Sequence, residues 1–445
     1  MSRMIMRLQV LVILISAWIP AMLHAQTIVP TQTDEIIIDN GTSGKADPGD
    51  RIRYKVIIQN TGGPSGTNTQ LNVVPDPRTT FLAGTFKSSP LAVSDAYTCT
   101  GNVGINVPAA SGVKTNDFDD NLSGATLSVT TLPTNGSVTL NNDGSFSYTP
   151  NAGFTGTDVF TYTMTDVTPV PTAPVTDAAS VTITVSNLIW FVDNTGGGSG
   201  GTGTLATPFK TLTNFNVSAG PQPGHIVFIK NTGTKYNGGI VLKNNMSLFG
   251  TGHTGGANLA DVLPFTLAPN SNALPAINGT RPIIVSPTNG ITLASNNTIR
   301  GVEVGYCPSA PKIFGTNFGT LTIGNTTNPD VALSGNRTTL DLTNGAFAAT
   351  SKFAFITSLD TSTLILNTVS GSLASSSTTV NARDAAKAMD IQNSSAALDF
   401  GSTVASQFNG GFAISITNSP SGSVTFSNLN IPNVGNGFGL TANNG

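Results

Sequence analysis

Asp117, Asp119 and Asp120, flanked by Asn116 and Asn121, crowd three carboxylates and two side-chain amides into one short stretch. Calcium takes about six to eight hard oxygen ligands, so a loop this rich in oxygen could hold one. Asp158 and Asp166 are the further acids that could fold back to complete the set. The order of residues is not that of an EF-hand loop, and Asn-Asp-x-Asp stretches also make Asx turns without any metal. Both readings stand on these residues alone.

Other chemistry is sparse. After residue 187 the acids Asp193, Asp261, Glu303, Asp330, Asp341, Asp360, Asp384, Asp390 and Asp399 form no adjacent Asp-Asp pair. Asp384 and Asp390 with Arg383 and Lys387 come nearest to an acid–base constellation, and a charged surface turn explains them equally well. Arg300 and Glu303, in TIRGVEV, read as decoration on the outside of a strand, and His225 and His253 as turn or surface histidines. So few histidines leave little material for a zinc site or a Ser-His-Asp triad. Cys99 and Cys307 lie too far apart in sequence to suggest a disulfide framework, and Trp190 reads as core rather than as a platform for sugars. No catalytic residue is assigned, and the reading leans away from an enzyme.

The elements that must position these residues are strands. Gly 48, only 10% charged residues, and two glutamates, Glu35 and Glu303, describe short strands joined by tight turns. Arg3 and Arg7 precede an apolar run from Leu8 to Ile19, and Leu23-His24-Ala25 ends in a small residue before Gln26. Residues 1–25 therefore read as a secretory signal peptide, with no transmembrane span in the chain that follows. Residues 26–187 carry 7 basic and 14 acidic side chains, and residues 188–445 carry 11 and 9. Neither part offers the basic patch that nucleic acid requires.

Three segments follow. In residues 27–90, Ile52, Tyr54, Val56 and Ile58 alternate with Arg51, Arg53 and Lys55 between two turn clusters, the pattern of a half-buried antiparallel strand. The run ADPGDRIRYKVIIQNTGG, with TNTQLNVVPDP after it, resembles an Ig-like repeat of bacterial surface proteins, which implies a spacer module. In residues 91–187, Val138 and Leu140 lead through Asp143-Gly144 to Phe146 and Tyr148, a hairpin. Phe160, Tyr162 and Met164, then Val181, Ile183 and Val185, continue the sandwich. The wording GVKTNDFDDN, TNGSVTLNNDGSFSYTPNAGFTGTDVFTYTMTD and SVTITV resembles the cadherin-like, Ig-like tandem repeat of bacterial adhesins. That resemblance implies a cell-surface module stiffened by calcium, although one copy alone makes no rod.

Residues 188–445 have a different grammar. Short apolar strands recur at Ile226–Ile229, Ile240–Leu242, Met246–Phe249, Ile283–Val285, Leu321–Ile323, Leu340–Leu342 and Leu364–Leu366. Leu340 and Leu342 return as Leu364 and Leu366, Phe400 returns as Phe426, and Asn393 as Asn418 and Asn443, a period of roughly 25 residues. A short strand cannot bury its apolar face alone, so coils of this length stack, and Asn at one corner can form an amide ladder. IWFVDNTGGGSGGTGTLATPFKTL and HIVFIKNTGTKYNGGIVLKNNMSLFGTG resemble the opening of pectin-lyase-like right-handed β-helix domains, with any helix expected near Thr211 to Ala219. Gly437 to Gly445 ends inside a coil-like pattern, so the stack is expected to continue beyond it.

The expectation is an all-β chain: two Ig-like β-sandwich modules followed by a right-handed parallel β-helix, a solenoid. Its function is expected to be that of an exported, adhesin-like surface or secreted protein that meets an extracellular glycan or protein, with calcium as its one candidate cofactor. A secreted polysaccharide lyase or hydrolase with accessory Ig-like domains is the alternative.

Overall fold

The computed structural model describes residues 10–12, 28–38, 51–60, 71–73, 90–119, 122–166, 175–277, 279–358, 364–382, 387–407, 412–419, 421–430 and 436–441. The chain divides into two compact units, Met1–Lys87 and Ser88–Gly445. Among the described residues the chain is nearly all β, and no helix is long and apolar enough to cross a membrane.

In the first unit Ile28–Ile38 pairs antiparallel with Arg51–Asn60, the strand expected from the alternation of Ile52 to Ile58. Val10–Val12, within the stretch read as a signal, pairs antiparallel with Leu71–Val73. The turns at 47–50 and 61–64 lie outside the described residues.

The second unit begins as a sandwich. One sheet runs, in spatial order, Thr126–Thr131, Gly156–Asp166, Val175–Val192, Asp95–Gly101. Its first two pairings are antiparallel and the last is parallel. The facing sheet holds Phe146–Pro150 between Ile105–Val107 and Gly136–Leu140. The hairpin turns at Asp143-Gly144, where Gly144 takes a positive φ of 88° that a side chain would resist. Strand parity places Phe160, Tyr162 and Met164 in the core against Phe146, Val181, Ile183 and Val185.

Val175–Val192 does not stop at the edge of the sandwich. Its last residues, Ile189 to Val192, pair in parallel with Ile226–Ile229, which pairs with Ser247–Gly250, which pairs with Thr298–Arg300. Two further parallel ladders grow beside this one, starting from Tyr236–Asn237 and from Ile240–Val241. The last of them aligns Leu342 with Leu366, Leu366 with Ile391, Ile391 with Ile416 and Ile416 with Leu440. Each step is roughly one period of the sequence repeat. Phe400 stacks on Phe426, ring centroids 5.9 Å apart, and Val192, Leu248, Ile299 and Ile323 belong to the continuous core between the ladders.

The corner asparagines follow the same register. Asn245, Asn296, Asn317, Asn344, Asn393 and Asn418 all take positive φ, a conformation Asn tolerates better than other side chains. Asn296 Nδ2 donates to Asn245 Oδ1 at 3.2 Å, Asn393 donates to Asn367 at 3.1 Å, and Asn344 donates to Asn317. Asn443 lies outside the described residues. A short helix, Leu212–Val217, sits in the expected place, with the Thr211 hydroxyl accepting from the Asn214 amide.

One step along the first of these ladders is longer than the rest. Ser247 pairs with Thr298, whereas Ile226 pairs with Ser247 and Thr298 with Thr322. The extra chain turns back onto the sandwich. The Ala268 amide donates to Thr100 Oγ1 at 3.2 Å, the Asn272 amide to the Gly104 carbonyl at 3.0 Å, and the Asn106 amide to the Asn270 carbonyl at 2.8 Å. Leu259 and Ile277 join Val103, Ile189, Phe191, Phe228 and Phe249 in one buried cluster. Sandwich and ladders therefore share a strand, a bracket of hydrogen bonds and a core.

Candidate functional site

Two of the acids singled out in the sequence share one strand. Parity along Gly156–Asp166 turns Asp158 and Asp166 inward with Phe160, Tyr162 and Met164. At about 3.3 Å per residue, eight residues separate their Cα atoms by about 26 Å. Asp166 and Asp158 therefore stand at opposite ends of the strand, and Asp158 has partners of its own. Its oxygens accept from the Thr134 amide at 3.0 Å, the Asn135 amide at 2.9 Å and the Tyr148 hydroxyl at 2.9 Å. It is a buried carboxylate that pins a turn to the core. Asp166 is buried at the far end of the same strand.

Asp117 is also buried and engaged. Oδ1 accepts from the Val93 amide at 2.7 Å, and the Tyr162 hydroxyl reaches both carboxylate oxygens at 2.9 Å. Burial raises the Asp117 pKa, while the Val93 and Tyr162 hydrogen bonds and the Lys114 charge oppose the rise. Asp95 stands close by, its carboxyl pushed up to about 7, first by burial and then by the negative charge of Asp117. Asp119 lies half-buried on the same loop, and Asp120 and Asn121 lie outside the described residues.

The positive charge of this corner comes from the protein itself. Lys114 is buried, and its Nζ donates to the carbonyls of Leu122 at 3.1 Å and Ala125 at 2.6 Å, closing the loop that carries the acids. Burial pulls its pKa down, and Asp117, Asp143 and Asp119 hold it up. An ammonium drawing in backbone carbonyls beside carboxylates does part of what a bound cation would do. Among the described residues no group of three His, Cys, Asp or Glu side chains converges closely enough to hold a metal ion. Lys312 repeats the arrangement among the ladders: fully buried, its Nζ donates to the carbonyls of Asn336 at 2.8 Å and Arg337 at 3.0 Å.

The candidates for acid–base chemistry are likewise engaged. Lys387 Nζ pairs with Asp390 Oδ1 at 3.0 Å, while Arg383 and Asp384 lie outside the described residues. Glu303 accepts from the Ser334 hydroxyl. His225 Nδ1 lies 3.1 Å from Trp190 Nε1 and 2.9 Å from the Gln222 amide, both donors to it. Trp190 is core, stacked on Phe209.

Two readings change at one corner of the ladders. His253 is buried, not a surface histidine, and Arg300 turns to a buried partner instead of decorating an outer face. Arg300 Nη2 lies 2.8 Å and Nε 3.0 Å from Asp330 Oδ2, and Asp330 is fully buried. Arg281 Nε donates to the Asp330 carbonyl at 2.8 Å. His253 Nδ1 accepts from the Gly255 amide at 3.0 Å, and burial, then the Arg300 charge, pull its pKa down to about 4. Neutral near pH 7, and 3.6 Å from Asp330, it packs beside the ion pair and is not part of it. These residues come from segments far apart in sequence that the parallel ladders bring side by side, so only the register of those ladders could have grouped them.

With this geometry in view, comparison with known proteins adds one match. Residues 87–187 match the family model of the bacterial cadherin-like domain, the stretch occupied by the sandwich. No curated protein and no solved structure matches the chain.

Proposed function

We propose that this chain is an exported bacterial protein, cell-surface or secreted, with an adhesin-like role. In this reading residues 1–25 are a signal peptide and 27–90 an Ig-like surface repeat. Residues 188–445 coil as a right-handed parallel β-helix whose flat faces meet an extracellular glycan or protein. The observation that carries the reading is the cadherin-like match at 87–187, in a module that continues through one strand into parallel ladders. The coiled form is supported by parallel ladders whose partners, from Leu342 onward, recur at about 25 residues. Short strands stacked this way leave long, regular outer faces, which suit an extended polymer better than a small molecule.

The test is a binding array. Labelled full-length protein is applied to extracellular glycans and to intact cells, and saturable retention competed by unlabelled protein is expected. New reducing or unsaturated sugar ends without retention would replace adhesion by glycan cleavage. An array with no saturable binding would leave only a passive structural element.

A further inference from the structure

We propose that a cavity beside the first coil binds a tetrahedral oxyanion, sulfate or phosphate, either free or carried on a saccharide. The cavity, about 380 Å³, lies between the loop after Val192, the start of the helix Leu212–Val217 and the turn before Tyr236. That volume falls within the usual range for small-ligand sites, about 300–1,000 Å³.

Charge decides what it would take. Lys210 and Lys235 both line the cavity, and no carboxylate does. The nearest acid in sequence, Asp193, is already engaged: Oδ2 pairs with Lys230 at 2.8 Å and Oδ1 accepts from the Thr195 amide at 2.8 Å. The wall therefore carries two positive charges in a segment that is otherwise close to neutral. Lys210 is half-buried, and its Nζ donates to the Thr195 carbonyl at 3.1 Å, which fixes the stem and leaves two protons for a ligand. Lys235 stands exposed at the rim.

The rest of the wall is made to hydrogen-bond. The Thr232 hydroxyl is engaged by Asn194 Oδ1 and by the Thr234 hydroxyl 2.9 Å away, so the open part of the wall is Gly196, Gly197 and Gly198, which run in succession at positive φ and leave bare backbone on that side. Tyr236 cannot serve as a stacking plate for a neutral sugar. It is buried, and its hydroxyl lies 2.6 Å from the Lys230 carbonyl. No arginine lines the cavity. A planar carboxylate is matched best by the guanidinium fork, whereas two ammonium groups act as point charges and suit an oxyanion that presents oxygens in all directions. The inference does not rest on the adhesion reading.

Isothermal titration calorimetry of the full chain at low ionic strength tests it, with sodium sulfate, sodium phosphate, a hexose monophosphate and the unmodified hexose as probes. Saturable binding of the anions is expected, and none of the neutral sugar. Lys235→Ala, at the exposed rim, should keep the wild-type melting temperature and weaken anion binding about tenfold or more, as should Lys210→Ala. Lys235→Arg should retain most of it, and added sodium chloride should weaken it. Tighter binding of the hexose monophosphate than of inorganic phosphate identifies a carried group, and equal binding a free ion. Anion affinity unchanged in both alanine variants, equal binding of the neutral hexose, or no binding of any anion would each overturn the proposal.

Discussion

Replacing Asp330 by Ala removes the buried acceptor of a half-buried guanidinium while leaving the neighbouring strands in place. Asp330 has no exposed side-chain surface, and the Arg300 side chain keeps 14%. Breaking a buried ion pair from one side costs about 3–5 kcal/mol, because the remaining charge loses its partner without regaining water. Arg300 can recover some hydration through its exposed edge, so the low end, about 3 kcal/mol, is expected. Regions of a large structure open locally and not all at once, so hydrogen–deuterium exchange is a better assay than a global melt. At about 1.4 kcal/mol per decade, amides of residues 251–255 and 328–333 should exchange about a hundredfold faster. The double replacement Asp330→Leu with Arg300→Met removes both charges and should return exchange to within about tenfold of wild type. A single variant that changes exchange less than about threefold would refute the reasoning, as would a double variant worse than the single one.

Other expectations follow from the same structure. His253 is held near pKa 4 in the folded chain and returns to about 6.5 when unfolded, so the unfolded state binds more protons between these values. Stability is therefore full above pH 6.5 and falls by about 3 kcal/mol towards pH 4, and His253→Gln should remove that share of the acid sensitivity in calorimetric scans. Asp95 behaves oppositely. Its carboxyl is raised from 3.8 to about 7 on folding, so its contribution is present below pH 3.8 and lost as pH rises through 7; Asp95→Asn should melt higher than wild type at pH 7.5. Thr368, exposed and β-branched, sits at φ 57°, the left-handed region taken by asparagine at other corners, so Thr368→Asn should stabilise by about 1 kcal/mol; a lower melting temperature would count against the corner ladder. Lys114→Met forfeits two charge-assisted hydrogen bonds and should cost about 2 kcal/mol, measured on the melting of the sandwich. Added calcium should not restore it, and recovery in calcium would show that the loop oxygens can build a metal site.

Much of this architecture can be read along the chain. The alternation of Phe160, Tyr162 and Met164 assigns a buried face, and the same parity turns Asp158 and Asp166 inward, so their burial was legible too. The return of Leu342 as Leu366, and of Phe400 as Phe426, assigns the stacking period that the parallel ladders show. Asn393 and Asn418 mark corners because asparagine accepts a positive φ at low cost. These signals are local: they depend on strand alternation, on turn chemistry and on the length of one coil.

Tertiary structure decided what lies between neighbouring strands of the ladders. The step from Ser247 to Thr298 spans far more chain than the repeat period, and that from Ile189 to Ile226 also exceeds it, so no periodic reading reveals that Ala268 to Asn272 return to the sandwich. The same offset brings His253, Arg300 and Asp330 to one corner and sends Arg300 to a buried carboxylate. At the sandwich, the residue that closes the acidic loop is a lysine, chosen by the folding of Lys114 beneath it. Side-chain alternation is a property of the backbone and is written into any strand, whereas partnership across thirty or fifty residues depends on how much chain each coil consumes. Packing sets that quantity, and spacing in the sequence does not record it.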